Sequence, residues 1–300
     1  MRLAGLAGLL RAWVARSRRG TGRAASAEGA DGPSDGGSPA PSSRRAPVMS
    51  DDDGMQPGPF PGRLFVVEGI DGSGKSTQLD LLHKWLTSRG VLVVSSEWNS
   101  SPIVRGTTRR GKRRRLFSPM TFSLIHCADL ANRVHEQIIP ALQAGATVLA
   151  DRYIYTAFAR DAARGVNPVW LRHLYAFAPK PTMAFYFDVP LPEAIRRIED
   201  GRARLKYYEA GMDLGLSSDL NRSFQAFQGM IQTEYERMLD EFGLISIDAT
   251  APPTEQQHKV RELVEPHVGG ALKIQDGGLA DALTTSGLTG RYLDTLGARR

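Results

Sequence analysis

Between the apolar run Leu64-Phe65-Val66-Val67 and a segment with leucines at 79, 82 and 86 stands Gly69-Ile70-Asp71-Gly72-Ser73-Gly74-Lys75-Ser76-Thr77. This stretch satisfies the phosphate-binding pattern G-x-x-x-x-G-K-[ST]. Its glycines let the backbone curl so that successive N–H groups face inward. Lys75 can place a charge on β/γ-phosphate oxygens, and Ser76 can offer a hydroxyl to Mg²⁺. The flanks read as a buried strand and an amphipathic helix, the setting this loop requires. Gly69, Asp71, Gly72, Ser73, Gly74, Lys75, Ser76 and Thr77 are therefore the candidate nucleotide-binding residues.

Composition divides the chain into three parts. Residues 1–61 are rich in Gly, Ala, Ser, Pro and Arg, with only Trp13 and Phe60 as aromatics. Such a segment has too little apolar surface to offset its ordering entropy, and a disordered extension is expected. Six Arg precede its first acid, Glu28, with Leu, Trp and Val between them. A transit peptide is one reading; an unstructured extension or an over-called start, with Met49 and Met55 nearer the core, is the other. Residues 269–300 read as a loose tail, leaving 62–268 as one α/β domain. The net charge of +6 lies almost wholly in the extension, where residues 1–50 hold eight Arg against Glu28, Asp31 and Asp35. The near-neutral remainder gives no argument for nucleic-acid binding. The apolar run near the N-terminus is too short to span a bilayer. Cys127 is the sole cysteine, which excludes a disulfide framework and fits a reducing cytoplasm.

The core alternates apolar strands and helices. Strands are predicted at Leu64–Val67, Val91–Val94, Thr147–Ala150, Met183–Phe187 and Leu244–Ile247. Helices are predicted at 78–89, 119–143, 154–164, 168–177, 191–199, 218–242 and 254–264. This predicts a P-loop α/β fold, with a five-stranded, mostly parallel sheet covered by helices on both faces. Residues 105–115 hold seven positive charges and no negative one. They read either as a solvated, flexible face or as a patch that draws in an anionic acceptor, with Arg105 as the candidate contact. No aromatics interleave with them, which weakens a nucleic-acid reading.

Asp151-Arg152-Tyr153 follows a strand directly, and ligands sit at the carboxyl ends of parallel strands. Asp151 is placed to hold Mg²⁺ with Ser76. Arg152 is placed to neutralise a transferring phosphoryl group; a structural Asp–Arg ion pair is the competing reading. Asp71 is a candidate to orient an acceptor phosphate or an arginine, against a local cap of the loop. Arg202 and Arg204, on the glycine-flanked polar segment 201–216, suit a mobile lid that closes over the phosphoryl group. A solvated basic loop is the alternative there.

On the run Phe65 to Gln78, the Asp151-Arg152-Tyr153 step, Ala163-Arg164-Gly165 and Phe187-Asp188-Val189-Pro190, the chain resembles thymidylate kinases over about residues 62–266. The resemblance implies transfer of the ATP γ-phosphoryl to a nucleoside monophosphate, most directly dTMP, with Mg²⁺. It implies that Lys75, Asp71, Arg152, Arg202 and Arg204 act in catalysis and that Tyr153 lies on the acceptor side. It also implies a homodimer through the long helix. Departures fall in the acceptor half. Glu97-Trp98-Asn99-Ser100-Ser101-Pro102 replaces the Arg-Glu-Pro-Gly-Gly-like stretch, and His126 and Leu130 replace the stacking Phe and a neighbouring Arg. Trp98 is the candidate stacking platform and Arg133 the candidate substitute arginine. His126 is a candidate contact against a packed helix residue. Two alternatives stay open: another nucleotide or polyphosphate as acceptor, and a non-catalytic ATP-binding protein.

Overall fold

The computed structural model describes residues 60–201 and 205–268. The expected tail at 269–300, nearly all of the expected extension at 1–61, and Arg202 and Arg204 lie outside the described residues.

Four consecutive residues of the first strand, β1 (Arg63–Glu68), are each at most 2% exposed: Leu64, Phe65, Val66 and Val67. Successive strand side chains point to opposite faces, so both faces are covered. The other strands are β2 (Val93–Glu97), β3 (Thr147–Asp151), β4 (Met183–Asp188) and β5 (Ile245–Asp248), in the order β2-β3-β1-β4-β5. Every pairing is parallel, and Val67 of β1 lies opposite Asp151 of β3.

The helices are α1 (Lys75–Ser88), α2 (Pro102–Arg114), α3 (Pro119–Arg133), α4 (Ile139–Gln143), α5 (Ile154–Ala162), α6 (Pro168–Leu174), α7 (Leu191–Gly201), α8 (Leu220–Phe242) and α9 (Pro253–Val268). Helix α1, which follows β1, packs on α9; α5, which follows β3, packs on α8. The chain leaving β1 runs to β2 on one side, and the chain leaving β3 crosses β1 to β4 on the other. Such a switch between neighbouring strands opens a crevice at their carboxyl ends.

Three local expectations are corrected. The second strand begins at Val93, two residues later than predicted, and runs through polar Ser95, Ser96 and Glu97 to pair with β3 up to Asp151. Residues 105–114 of the basic stretch belong to a helix, with Pro102 in its first turn and Arg115 as its C-cap. Its inner anchors are Thr108 and Gly111, not large apolar residues. A Cβ at Gly111 would stand 2.0 Å from the Phe117 ring, so the ring packs directly on the bare backbone of the helix there. The predicted helix 119–143 contains a π turn at Val134–Ile138, two residues before Pro140. Proline has no N–H to give the preceding turn, and a widened turn absorbs that loss. In the described part of segment 201–216, a 3₁₀ turn lies at Met212–Leu214, and Tyr208 and Ala210 are buried.

Candidate active site

Glycine geometry builds the phosphate loop. Gly72 and Gly74 have φ of 86° and 82°, in the left-handed region. A Cβ on Gly72 would come 2.4 Å from the carbonyl oxygen of Ala194 in α7, so the loop lies directly against that helix. The Ser73 N–H donates to the Ile70 carbonyl at 3.3 Å, which holds the curl, and the Lys75 ammonium donates to the same oxygen at 3.4 Å. Burial and then Arg152 pull the Lys75 ammonium down to about 7, against the pull of Asp71 and Asp151. An anionic ligand in the loop would restore its charge.

The crevice brings the end of β3 to this loop. Ser76 Oγ donates to Asp151 Oδ2 at 3.1 Å, and Asp151 Oδ1 is buried with no hydrogen-bond partner. A hydroxyl and a carboxylate are a hard-oxygen pair of the kind that binds Mg²⁺ together with phosphates and water. Among the described residues, no group of three or more His, Cys, Asp or Glu could hold a metal. A divalent ion here would therefore depend on ligand phosphates, as in a nucleotide kinase.

Arg152 stands at φ 69°, a conformation rare for a residue with a Cβ. Its Nη2 donates to Asp71 Oδ1. Arg160, two turns along α5, donates to Asp71 Oδ2 at 2.7 Å. Gln228 of α8 completes the cage, accepting from the Asp71 N–H at 3.2 Å and donating to its Oδ2 at 3.4 Å. Burial alone would raise the Asp71 carboxyl; Arg160, Arg152 and Lys75 outweigh burial and hold it well below the usual carboxylate range.

The acceptor-side candidates fall into separate places. Trp98 is half-buried, its ring 5.0 Å from the His126 ring, and the Arg133 guanidinium lies 5.8 Å away. His126 is 3% exposed, and neither ring nitrogen has a partner. Burial, then Lys112, Arg164, Arg160 and Arg133, keep it neutral, well below the ordinary histidine value. Arg133 is buried on Asp129, with Nε donating at 3.0 Å and Nη1 donating to Ser96 Oγ at 2.9 Å; its Nη2 is unpartnered. Asp129 also accepts from the N–H groups of Asn99 and Ser101, so this pair fixes the turn after β2. Arg105 is exposed on α2. Tyr153 is not brought to the cluster: it is fully buried, and its hydroxyl donates to the Pro179 carbonyl at 3.0 Å.

Sequence reading missed Arg160, Gln228 and Lys112. Arg152, Thr156 and Arg160 recur at helical spacing, a signal that was available. Gln228 carried no such signal. Lys112 turns inward from the basic stretch, its ammonium 5.0 Å from the Phe122 ring centre, and burial beside Arg160 and Arg164 lowers it to about 8. The Arg164 side chain is 1% exposed, donating to Asp213 Oδ2 at 2.9 Å and to the Tyr208 carbonyl at 2.8 Å. It ties α5 to the segment after α7.

A parallel sheet with a glycine-rich phosphate loop at one strand end, and an Asp-Arg step at the next, defines a P-loop phosphotransferase. The family model for thymidylate kinase matches residues 67–260. Probable thymidylate kinase 2 of Saccharolobus solfataricus is 36% identical over 212 residues, covering 70% of this chain and 99% of that protein. A probable thymidylate kinase of Thermococcus gammatolerans is 37% identical over 151 residues, 47% of this chain and 72% of that protein. The thymidylate kinase of Desulfotalea psychrophila is 33% identical over 143 residues, 47% of this chain and 71% of its own length. The chain belongs to the thymidylate kinase family.

Proposed function

We propose that this protein transfers the γ-phosphoryl group of ATP to dTMP, giving dTDP and ADP. The observation that carries the reading is the meeting of Arg152 and Arg160 on Asp71, inside the phosphate loop and beside Lys75. Two guanidinium groups at the lip of a triphosphate cradle suit a phosphoryl group passing from donor to acceptor. An oxygen of the acceptor phosphate attacks the γ-phosphorus in line, and the bond to the β–γ bridging oxygen breaks, leaving ADP. Loop amides and Lys75 hold the donor, and Arg152 and Arg160 stabilise charge on the equatorial oxygens. When bound, Mg²⁺ neutralises charge shared by the β- and γ-phosphates; Ser76 and Asp151 would hold it. No strong general base is needed, because positioning and charge carry the catalysis. Arg202 and Arg204 are assigned to the closing segment, and Trp98, His126, Arg133 and Arg105 to the acceptor side.

The proposal includes a cytoplasmic homodimer acting on nucleotides rather than nucleic acid. Met120 and Leu124, exposed one turn apart on α3, support the dimer. Among the described residues no helix is long and apolar enough to cross a membrane.

The test is ADP release from Mg·ATP with each deoxynucleoside monophosphate in turn. Turnover with dTMP well above the others is expected. Turnover with a different acceptor only, or ATP binding without transfer to any, would overturn the assignment.

A further inference from the structure

Glu68, the last residue of β1, is fully buried, and no arginine or lysine forms an ion pair with it among the described residues. Four donors converge on its carboxylate instead. Oε1 accepts from the N–H of Tyr153 at 2.7 Å and of Thr156 at 3.2 Å. Oε2 accepts from the hydroxyls of Thr156 at 2.5 Å and Tyr235 at 2.8 Å. A buried carboxylate carries a large desolvation penalty, so this one asks for a task.

The task follows from where the donors sit. Tyr153 is the N-cap of α5 and its own side chain caps nothing; Thr156 is the third residue of the helix. The N–H that an N-cap side chain usually satisfies is met here by a carboxyl oxygen from another strand. Arg152 immediately precedes this cap in its left-handed conformation, which is strained for a residue with a Cβ and persists only when the surroundings fix it. The Tyr153 N–H held by Glu68 is such a fixture. Thr156 Oγ1 continues the chain of contacts, donating to Glu68 and accepting from Arg152 Nη1 at 3.4 Å. The same helix carries Arg160 to Asp71.

We infer that Glu68 is a positioning residue for phosphoryl transfer: by capping α5 from β1 it sets the strained Arg152 and the helix-borne Arg160 on Asp71, without touching the substrate itself. The inference rests on the phosphotransferase reading above and adds a residue to it. The loop that grips the donor follows Glu68 directly in the chain, but its curl is held by the Ser73 N–H on the Ile70 carbonyl and not by the contacts of this cap.

In Glu68→Gln the new amide turns a donor toward two hydroxyls. We expect kcat to fall by about 10- to 100-fold, with KM for ATP within about threefold, because a misplaced guanidinium costs turnover and not donor binding. Tyr235→Phe removes one donor and leaves both helix N–H bonds; it should lower Tm while kcat stays within about threefold. Thr156→Val should lower kcat by about tenfold, and Thr156→Ser should restore it. A further readout does not need activity. The Arg152 guanidinium Nη–H resonances, held on Asp71 and Thr156, should be slow to exchange with solvent in the native protein, lose that protection in Glu68→Gln and keep it in Tyr235→Phe. Unchanged kcat and protection in Glu68→Gln would overturn the inference. So would losses in Tyr235→Phe that simply track Tm. If Glu68→Gln does not fold, the Thr156 pair decides by the same criterion. Failure of the native protein to phosphorylate any monophosphate would instead count against the proposed function, while the resonance still tests the cap.

Discussion

Arg152, at the end of β3, reaches across to Asp71 inside the loop that follows β1, and Arg160 takes the other carboxylate oxygen. Asp71 is buried and is the shared counter-charge of both arginines. Asp71→Asn leaves two part-buried cations without it and is expected to destabilise the fold by about 3–5 kcal/mol at pH 7. The folded-state carboxyl sits below its ordinary value, so its stabilising contribution is present above about pH 4 and is lost as pH falls below that. Urea denaturation of both proteins should show a constant gap from pH 8 to 5 that narrows in acid.

Gly72 combines a left-handed φ with a 2.4 Å approach of its absent Cβ to a backbone carbonyl of α7. Gly72→Ala must move either the phosphate loop or the helix, and neither end of the contact is a flexible side chain. ATP affinity, measured by calorimetry with Mg²⁺, should fall at least about tenfold while the circular dichroism spectrum is retained.

Lys75→Ala removes the charge aimed at the β/γ-phosphates. Turnover is expected to drop by about three orders of magnitude with the fold intact, since the residue acts where charge is transferred. Single-turnover kinetics with saturating ATP separates this from a binding defect.

Asp161 of α5 is fully buried, and burial pushes its carboxyl up to about 6 against Ser123, Arg164 and Arg160. A raised folded-state value means that the protonated form is favoured in the fold. The associated stability is complete below about pH 4 and is lost as pH rises through about 6. Asp161→Asn should therefore be more stable than the native protein at pH 7.5, by up to about 3 kcal/mol. The advantage should vanish near pH 4 in thermal melts across that range.

His126 carries two buried nitrogens with no partner, beside Trp98 and Phe122. His126→Phe keeps the aromatic packing and removes the unmet polar atoms, so Tm should rise, with a gain of about 1–2 kcal/mol. If those nitrogens face the acceptor, KM for dTMP should rise about tenfold with KM for ATP unchanged. An unchanged KM for dTMP would return His126 to the packed core.

The strands were legible because β1, β3 and β4 are buried on both faces and so read as continuous apolar runs. β2 was displaced because its later half is polar where it approaches the crevice: Ser96 receives Arg133 there, and Trp98 donates its N–H to the Asp151 carbonyl. Helix α2 escaped notice because its inner contacts are Thr108 and Gly111, which carry no hydrophobic period. The acceptor side was least legible. Arg133 reads as a free cation along the chain, yet in space it is mostly spent on Asp129 and Ser96.

Phosphate-loop geometry is settled within nine residues, by which positions lack a Cβ and where one ammonium and one hydroxyl fall, so a linear chain of letters is enough to fix it. Which carboxylate answers which cation is settled through space: Asp71 finds Arg152 and Arg160 at separations of 81 and 89 residues, and Glu68 caps a helix that starts 86 positions later. Those partnerships depend on strand order and on the desolvation that forces buried charges to pair, and neither exists until the sheet has closed.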